Sequence, residues 1–280
     1  MKAGYMSPEE VAESIIDICS KKCKLRIFPM IILGMLAGVY IGFGAELCTM
    51  VTHDMSKYFG LGFTKFIGGS VFSVGLMLVV IGGAELFTGN CLMLIGPLTG
   101  CTSIKRMLRN LSIVYIANFA GSLLLVVIMY FSGIWKVGNL GVGVAALKIA
   151  TGKTSITFLE ALFRGIGCNW LVCLAVWLAI ASKDLIGKIF GIYFPIMAFV
   201  ASCFEHSIAN MYLIPMGLFL KGNVDLVNAA GLAETINNLT WSNFIIRNLI
   251  PVTLGNIIGG SFFVAGAYYV VYLERKYRNI

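Results

Sequence analysis

His206 stands in an otherwise apolar run, within Phe204-Glu205-His206-Ser207-Ile208-Ala209-Asn210. A second polar island, Gly82-Gly83-Ala84-Glu85-Leu86-Phe87-Thr88-Gly89-Asn90, interrupts another apolar run. Both carry Glu-x4-Asn, 120 residues apart. Imidazole takes up or releases a proton near neutral pH. An ionisable group at membrane depth is costly and marks a route for ions or protons. His206 therefore leads the chemistry. Thr88 is placed to face it across a cavity and to donate a hydrogen bond to a bound ion. Back-bonding of Thr88 to its own helix is the equal alternative. Glu85 and Glu205 are expected to hold backbone N–H groups freed by interrupted helices, or to pair with a neighbouring cation. Direct substrate contact ranks lower, because a pore carboxylate repels anions. Asn90, Asn210 and Asn169 are read as satisfying freed backbone groups, and Asn118 and Asn256 as helix–helix hydrogen bonds.

The elements that position these residues follow from composition. The chain has 280 residues, 59% hydrophobic and 12% charged, with mean hydropathy +0.90. That is too little polar side chain to cover a water-facing surface. A soluble enzyme, a disordered chain and a nucleic-acid module are excluded, leaving a polytopic helical membrane protein. The net charge of +8 reflects loop Lys and Arg. The N-tail, the loops after the second and fourth segments, and the C-tail hold the larger share of them. That bias predicts a multi-pass protein of the cytoplasmic membrane with both termini in the cytoplasm.

Six hydrophobic segments are expected, near 29–51, 66–95, 111–131, 159–181, 187–220 and 244–271. The second and fifth are overlong and hold the two polar islands, so each is predicted to break midway where it lines a cavity. Arg109-Asn110-Leu111-x2-Val114-x3-Asn118-x2-Gly121 recurs as Arg247-Asn248-Leu249-x2-Val252-x3-Asn256-x2-Gly259. Segments one to three thus correspond to four to six. Three is odd, so the halves enter the membrane from opposite sides. The fold class is all-α, two inverted three-helix repeats (about 29–131 and 159–271) with broken helices two and five. Gly34, Gly38 and Gly42, and Gly255 and Gly259, have the spacing of close helix packing. A separate N-terminal element, 1–28, reads as an amphipathic helix along the membrane face. Ser7-Pro8-Glu9-Glu10 starts it, Val11, Ile15, Ile18 and Cys19 form its apolar stripe, and Lys21, Lys22, Lys24 and Arg26 follow. With Glu9, Glu10, Glu13 and Asp17 ahead of the first apolar run, no cleavable signal is expected.

The chain resembles the formate/nitrite transporter family over essentially its whole length. The likeness is carried by Gly83-Ala84-Glu85-Leu86-Phe87-Thr88-Gly89-Asn90, by Gly167-Cys168-Asn169-Trp170-Leu171-Val172-Cys173, and by Phe204-Glu205-His206-Ser207-Ile208-Ala209-Asn210-Met211. Within the family, general likeness is nearest to the clostridial hydrosulfide-channel branch. The resemblance implies a homopentamer in the lipid bilayer, each protomer with an aquaporin-like fold and its own pore. It implies an Ω-shaped loop around residues 80–90 on the cytoplasmic side. Its pore constrictions fall on Leu76 and Leu86 toward the cytoplasm and on Phe72 and Phe199 toward the outside. The central histidine and its threonine partner fall on His206 and Thr88, the lysine ahead of the fourth segment on Lys153, and its asparagine on Asn169.

The expected function is a channel or transporter for small monovalent weak-acid anions: hydrosulfide, formate or nitrite. Half-helix N-termini and Lys153 attract the anion. Rings of Phe and Leu exclude a bare ion. A weak-acid anion escapes that barrier by taking a proton from His206 and crossing as the neutral acid. The alternative is an aquaporin-like pore for neutral solutes. A membrane enzyme or metal-binding redox protein needs clustered ligands. His53 and His206 are isolated, and Cys19, Cys23, Cys48, Cys91, Cys101, Cys168, Cys173 and Cys203 contain no C-x-x-C pair. No metal, cofactor or nucleic-acid partner is expected.

Overall fold

A computed structural model describes residues 4–277. Among them there are helices and one isolated bridge, Tyr5 to Ser182, and no strand. In chain order the helices are α1 (Pro8–Lys24), α2 (Ile27–Thr52), α3 (Ser56–Gly82), α4 (Phe87–Leu98), α5 (Ile104–Ser132), α6 (Gly141–Ser155), α7 (Phe158–Ala181), α8 (Leu185–Ala201), α9 (Ser207–Leu220), α10 (Val224–Ala230) and α11 (Trp241–Tyr277). Five are long and apolar enough to cross a membrane: α2, α3, α5, α7 and α11. The expected fifth segment is divided between α8 and α9, of 17 and 14 residues. Neither half alone reaches the roughly 20 residues a full crossing takes.

Both expected breaks exist. α3 stops at Gly83, whose φ of 82° only glycine adopts freely. The next three residues run without helical structure before α4 starts at Phe87. α8 stops at Ala201, Cys203 takes the equivalent left-handed place with φ 58°, and α9 starts at Ser207.

α1 begins as its sequence dictates. The Ser7 side chain accepts from Glu10 N–H at 3.3 Å, and the Glu10 carboxylate accepts from Ser7 N–H at 2.7 Å. Its stripe of Val11, Ala12, Ile15, Cys19 and Cys23 differs from the expected membrane-facing one in what it covers. It is buried in a cluster with Leu92, Met93, Ile95 and Trp177, so α1 closes one end of the helix bundle. The apolar ends of α4, α7 and α11 offer the stripe a protein surface there. α6 was not foreseen as a helix. It packs on α9 and buries Val142, Leu147 and Ala150.

The glycine spacing is a packing device within the protomer. A Cβ on Gly38 would lie 2.0 Å from the Asn118 carbonyl oxygen, and one on Gly121 would lie 1.9 Å from that of Met35, so α2 and α5 touch backbone to backbone. Gly255 and Gly259 do the same for α11 against α7, with Leu162 and Ile166 oxygens at 2.2 and 2.3 Å. Gly121→Ala is expected to cost about 1–3 kcal/mol or more, because backbone cannot step aside as a side chain can. Thermal unfolding in detergent measures it. Gly62→Ala, with nothing within 4 Å of the new methyl, is the control. Equal midpoints for the two variants would refute the close contact.

Candidate functional site

Each break frees backbone N–H and C=O groups, and those that are buried need protein partners. One asparagine per half supplies them. Asn118 Oδ1 accepts from Phe87 N–H at 3.0 Å, and its Nδ2 donates to the carbonyls of Gly34 and Glu85 at 2.8 and 2.9 Å. Asn256 repeats the pattern: Ser207 N–H donates to Oδ1 at 2.9 Å, and Nδ2 donates to Gly165 and Glu205 at 2.9 and 3.0 Å. Glu85 N–H reaches Leu33 O, and Glu205 N–H reaches Arg164 O. Asn118 and Asn256 thus join helices, as expected, and also hold the breaks.

Asn90 and Asn210 do something else than expected: they hold carboxylates. Asn90 Nδ2 donates to Glu85 Oε2 at 2.8 Å, and Asn210 Nδ2 donates to Glu205 Oε2 at 2.7 Å. Each carboxylate also takes a lysine, Lys22 on Glu85 at 2.6 Å and Lys153 on Glu205 at 2.9 Å. Asn110 and Asn248 complete the two clusters through Asn90 and Asn210. A short carboxamide reaches the carboxylate five residues back more easily than a backbone group beyond it. Lys22, Asn110 and Asn248 were not singled out as site residues from sequence. The available signal was the repeat: Lys22 precedes α2 by five residues, as Lys153 precedes α7. The structural repeat therefore begins in α1 and α6. Also missed was Glu46 in α2, buried with the Tyr212 hydroxyl donating to it.

Removing one partner of such an ion pair leaves a desolvated charge. Lys153→Met is expected to destabilise by about 3–5 kcal/mol, and adding Glu205→Gln should recover most of that. Unfolding midpoints of the single and double variants test this; a double variant as weak as the single would contradict it.

Two cavities of about 360 Å³ each lie against these clusters and share no lining residue. The first is lined by Lys22, Leu76, Glu85, Leu86 and Asn90, the second by Phe72, Lys153, Phe199, Glu205 and His206. The C-terminal part of α2 (Ala45, Thr49) and the N-terminal part of α7 (Arg164) both face the second cavity. The C-terminal part of α7 (Val176, Ala179) faces the first. Corresponding helices of the two halves therefore run in opposite directions, the inverted arrangement.

Leu76 and Leu86 at the first cavity and Phe72 and Phe199 at the second are all buried in one apolar cluster. The Phe72 and Phe199 rings meet edge to face at 5.6 Å, and Phe199 lies over His206 at 5.9 Å. Thr88, fully buried, places Oγ1 3.0 Å from His206 Nε2. His206 also caps α9: its Nδ1 accepts from Ala209 N–H at 3.0 Å. A backbone N–H only donates, so Nδ1 is unprotonated in this geometry and Nε2 carries the ring hydrogen, directed at Thr88. The Thr88 hydroxyl hydrogen is left free for another acceptor. Asn169 underpins the pair, donating to the carbonyls of Thr88 at 3.2 Å and Asn256 at 2.7 Å.

The chain resembles known proteins in sequence and in overall fold. The sequence profile of the formate/nitrite transporter family matches residues 9–270. The probable formate transporter of Methanothermobacter thermautotrophicus is 45% identical, covering 98% of this chain and 100% of that one. The formate channel FocA of Escherichia coli (strain K12) is 41% identical over 87% of this chain and 86% of its own. A solved pentameric formate channel with formate bound aligns with a TM-score of 0.81 at 40% identity, covering 88% of this chain and 98% of that chain. An FNT family ion channel aligns at 0.79 and 26% identity, covering 94% and 98%. Fold, inverted breaks and sequence agree: this chain is a multi-pass membrane transport protein, not an enzyme, and belongs to the formate/nitrite transporter family.

Proposed function

We propose that the protein is a channel for small monovalent weak-acid anions, formate foremost, with hydrosulfide and nitrite in the same class. The observation that carries the reading is the buried Thr88–His206 pair, at 3.0 Å, beside the apolar cluster that lines two lysine-bearing cavities. Six crossings are inferred, with α3–α4 and α8–α9 counted as one broken crossing each. By analogy with the pentameric formate channel, five protomers assemble, each with its own pore. The cavity of Lys22 and Glu85 is assigned to the cytoplasm, with both termini.

Lys22 and Lys153 offset the carboxylates at the two mouths, and Lys188 at the first and Lys65 and Lys148 at the second raise the local anion concentration there. Leu76 and Leu86 on one side, and Phe72 and Phe199 on the other, make the barrier dry. A bare anion loses hydration there at a cost of several kcal/mol. The Thr88 hydroxyl, freed by the imidazole N–H bonded to its oxygen, offers the anion a donor. Charging His206 fully requires its Nδ1 to leave Ala209 N–H, so a proton handed on by His206 comes with transient loss of the α9 cap. Offering hydrogen bonds needs no such change.

Flux in proteoliposomes tests this reading. Formate, hydrosulfide and nitrite should move, faster at the lower of two pH values, with chloride and glycerol excluded. Glycerol flux matching formate flux would replace the reading by a neutral-solute pore.

A further inference from the structure

Two cysteines near the first cavity lie against the same glycine, and the transport reading uses neither. Cys19 is on α1, 1% exposed, on the face that lines the first cavity beside Ile15, Ile18 and Lys22. Cys101 is exposed, in the connection between α4 and α5. Its Sγ lies over α1, 3.7 Å from the carbonyl oxygen of Ile16, one helical turn before Cys19. Both residues flank Gly96 of α4. A Cβ there would stand 3.3 Å from Cys19 Cβ and 3.5 Å from Cys101 Sγ. Thr102 Cγ2 would be nearer still, at 2.6 Å, so glycine at 96 leaves room for all three side chains and brings both cysteines to the same point. The sequence spacing, 82 residues apart, gives no hint of this.

We propose that Cys19 and Cys101 are a redox-reversible disulfide site that locks α1 onto the α4–α5 connection. The oxidant is a hydroperoxide. The exposed Cys101 thiolate attacks its terminal oxygen; an S–O bond forms, the O–O bond breaks, and the alkoxide leaves and takes up a proton. The Cys19 sulfur then attacks the Cys101 sulfur. The S–S bond forms, the S–O bond breaks, and the departing hydroxide leaves as water with the Cys19 proton. Two thiols lose two electrons and the peroxide gains them. Burial pushes the Cys19 thiol up to about 12, so little thiolate is present and the second step is slow. Enforced proximity compensates in part. A compartment with a thiol pool reopens the bond, the behaviour of a sensor rather than a structural disulfide.

The consequence lies at the first cavity. α1 supplies its apolar wall and the lysine that holds Glu85. α4 carries Thr88 at its start. The cross-link fixes these elements to one another, so the oxidised protein keeps Lys22 on Glu85 and α1 in place.

The reconstituted protein is treated with cumene hydroperoxide, its remaining thiols are blocked with N-ethylmaleimide in denaturant so that the buried Cys19 is reached, and non-reduced digests are weighed. The expected result is a Cys19–Cys101 peptide pair, loss of label at both residues, and slower protease cleavage between α1 and α2. Dithiothreitol should reverse all three. Cys101→Ser, at an exposed position, should lose them without disturbing the fold, and Cys203→Ser should keep them. Full labelling of Cys19 after oxidation, or Cys101 cross-linked between protomers on a non-reducing gel, would overturn the proposal. The labelling readout needs no transport, so it stands or fails apart from the anion-channel reading.

Discussion

His206→Asn is expected to abolish acid-driven formate uptake, by roughly 10²-fold, the scale of a positioned proton-transfer group. The variant is chosen for its fold. Asparagine is a strong N-cap, so it can take over the bond from Ala209 N–H that His206 Nδ1 now accepts. Helix α9 and the unfolding midpoint should therefore survive while the imidazole is lost. The measurement is uptake into proteoliposomes driven by an imposed pH gradient. Thr88→Val should give a smaller loss, because it removes the hydroxyl partner and leaves the ring. Undiminished acid-driven uptake in His206→Asn would end any role for this residue in proton coupling.

Asn256→Leu carries the second large effect, on folding. The replacement has similar volume but neither donor nor acceptor. It leaves the Ser207 N–H and the Glu205 carbonyl without the partner they have at 2.9 and 3.0 Å. Each orphaned buried group costs about 1–3 kcal/mol, so the loss is about 2–6 kcal/mol. That is a large share of the roughly 5–15 kcal/mol by which proteins are stable. Asn118→Leu should behave alike at the other break, where Phe87 N–H and the Glu85 carbonyl depend on it. Yield of assembled protein and thermal midpoint in detergent are the readouts. Asn256→Asp, which keeps the acceptor for Ser207 N–H, should fall between. A wild-type midpoint for Asn256→Leu would show that the break is held by something else.

The fold was legible because membrane burial is a property each segment states for itself. Apolar length marked the spans, and polar islands in overlong runs marked the breaks at Gly83 and Cys203. The matched runs from Arg109 and Arg247 gave the pairing of the halves. The places of Thr88 and His206 in equivalent breaks left two equal readings for the Thr88 hydroxyl, back-bonding and a bond across to His206, and the structure shows the second. Less was legible where a polar side chain has several partners in reach. Asn90 and Asn118 have identical chemistry, yet one holds a carboxylate and the other a broken backbone.

The amino-acid sequence by itself determined the membrane class, the two interrupted helices, the internal repeat and the residue types at the centre. The tertiary structure decided which cation meets which carboxylate, that α1 and α6 belong to the repeat, and that Glu46 is buried against Tyr212. The physical reason is the range of the forces involved. Hydropathy and helix breaking act within one segment and leave a local pattern. Lys22 to Glu85 spans 63 residues and Tyr212 to Glu46 spans 166, and such contacts exist only once the helices have packed.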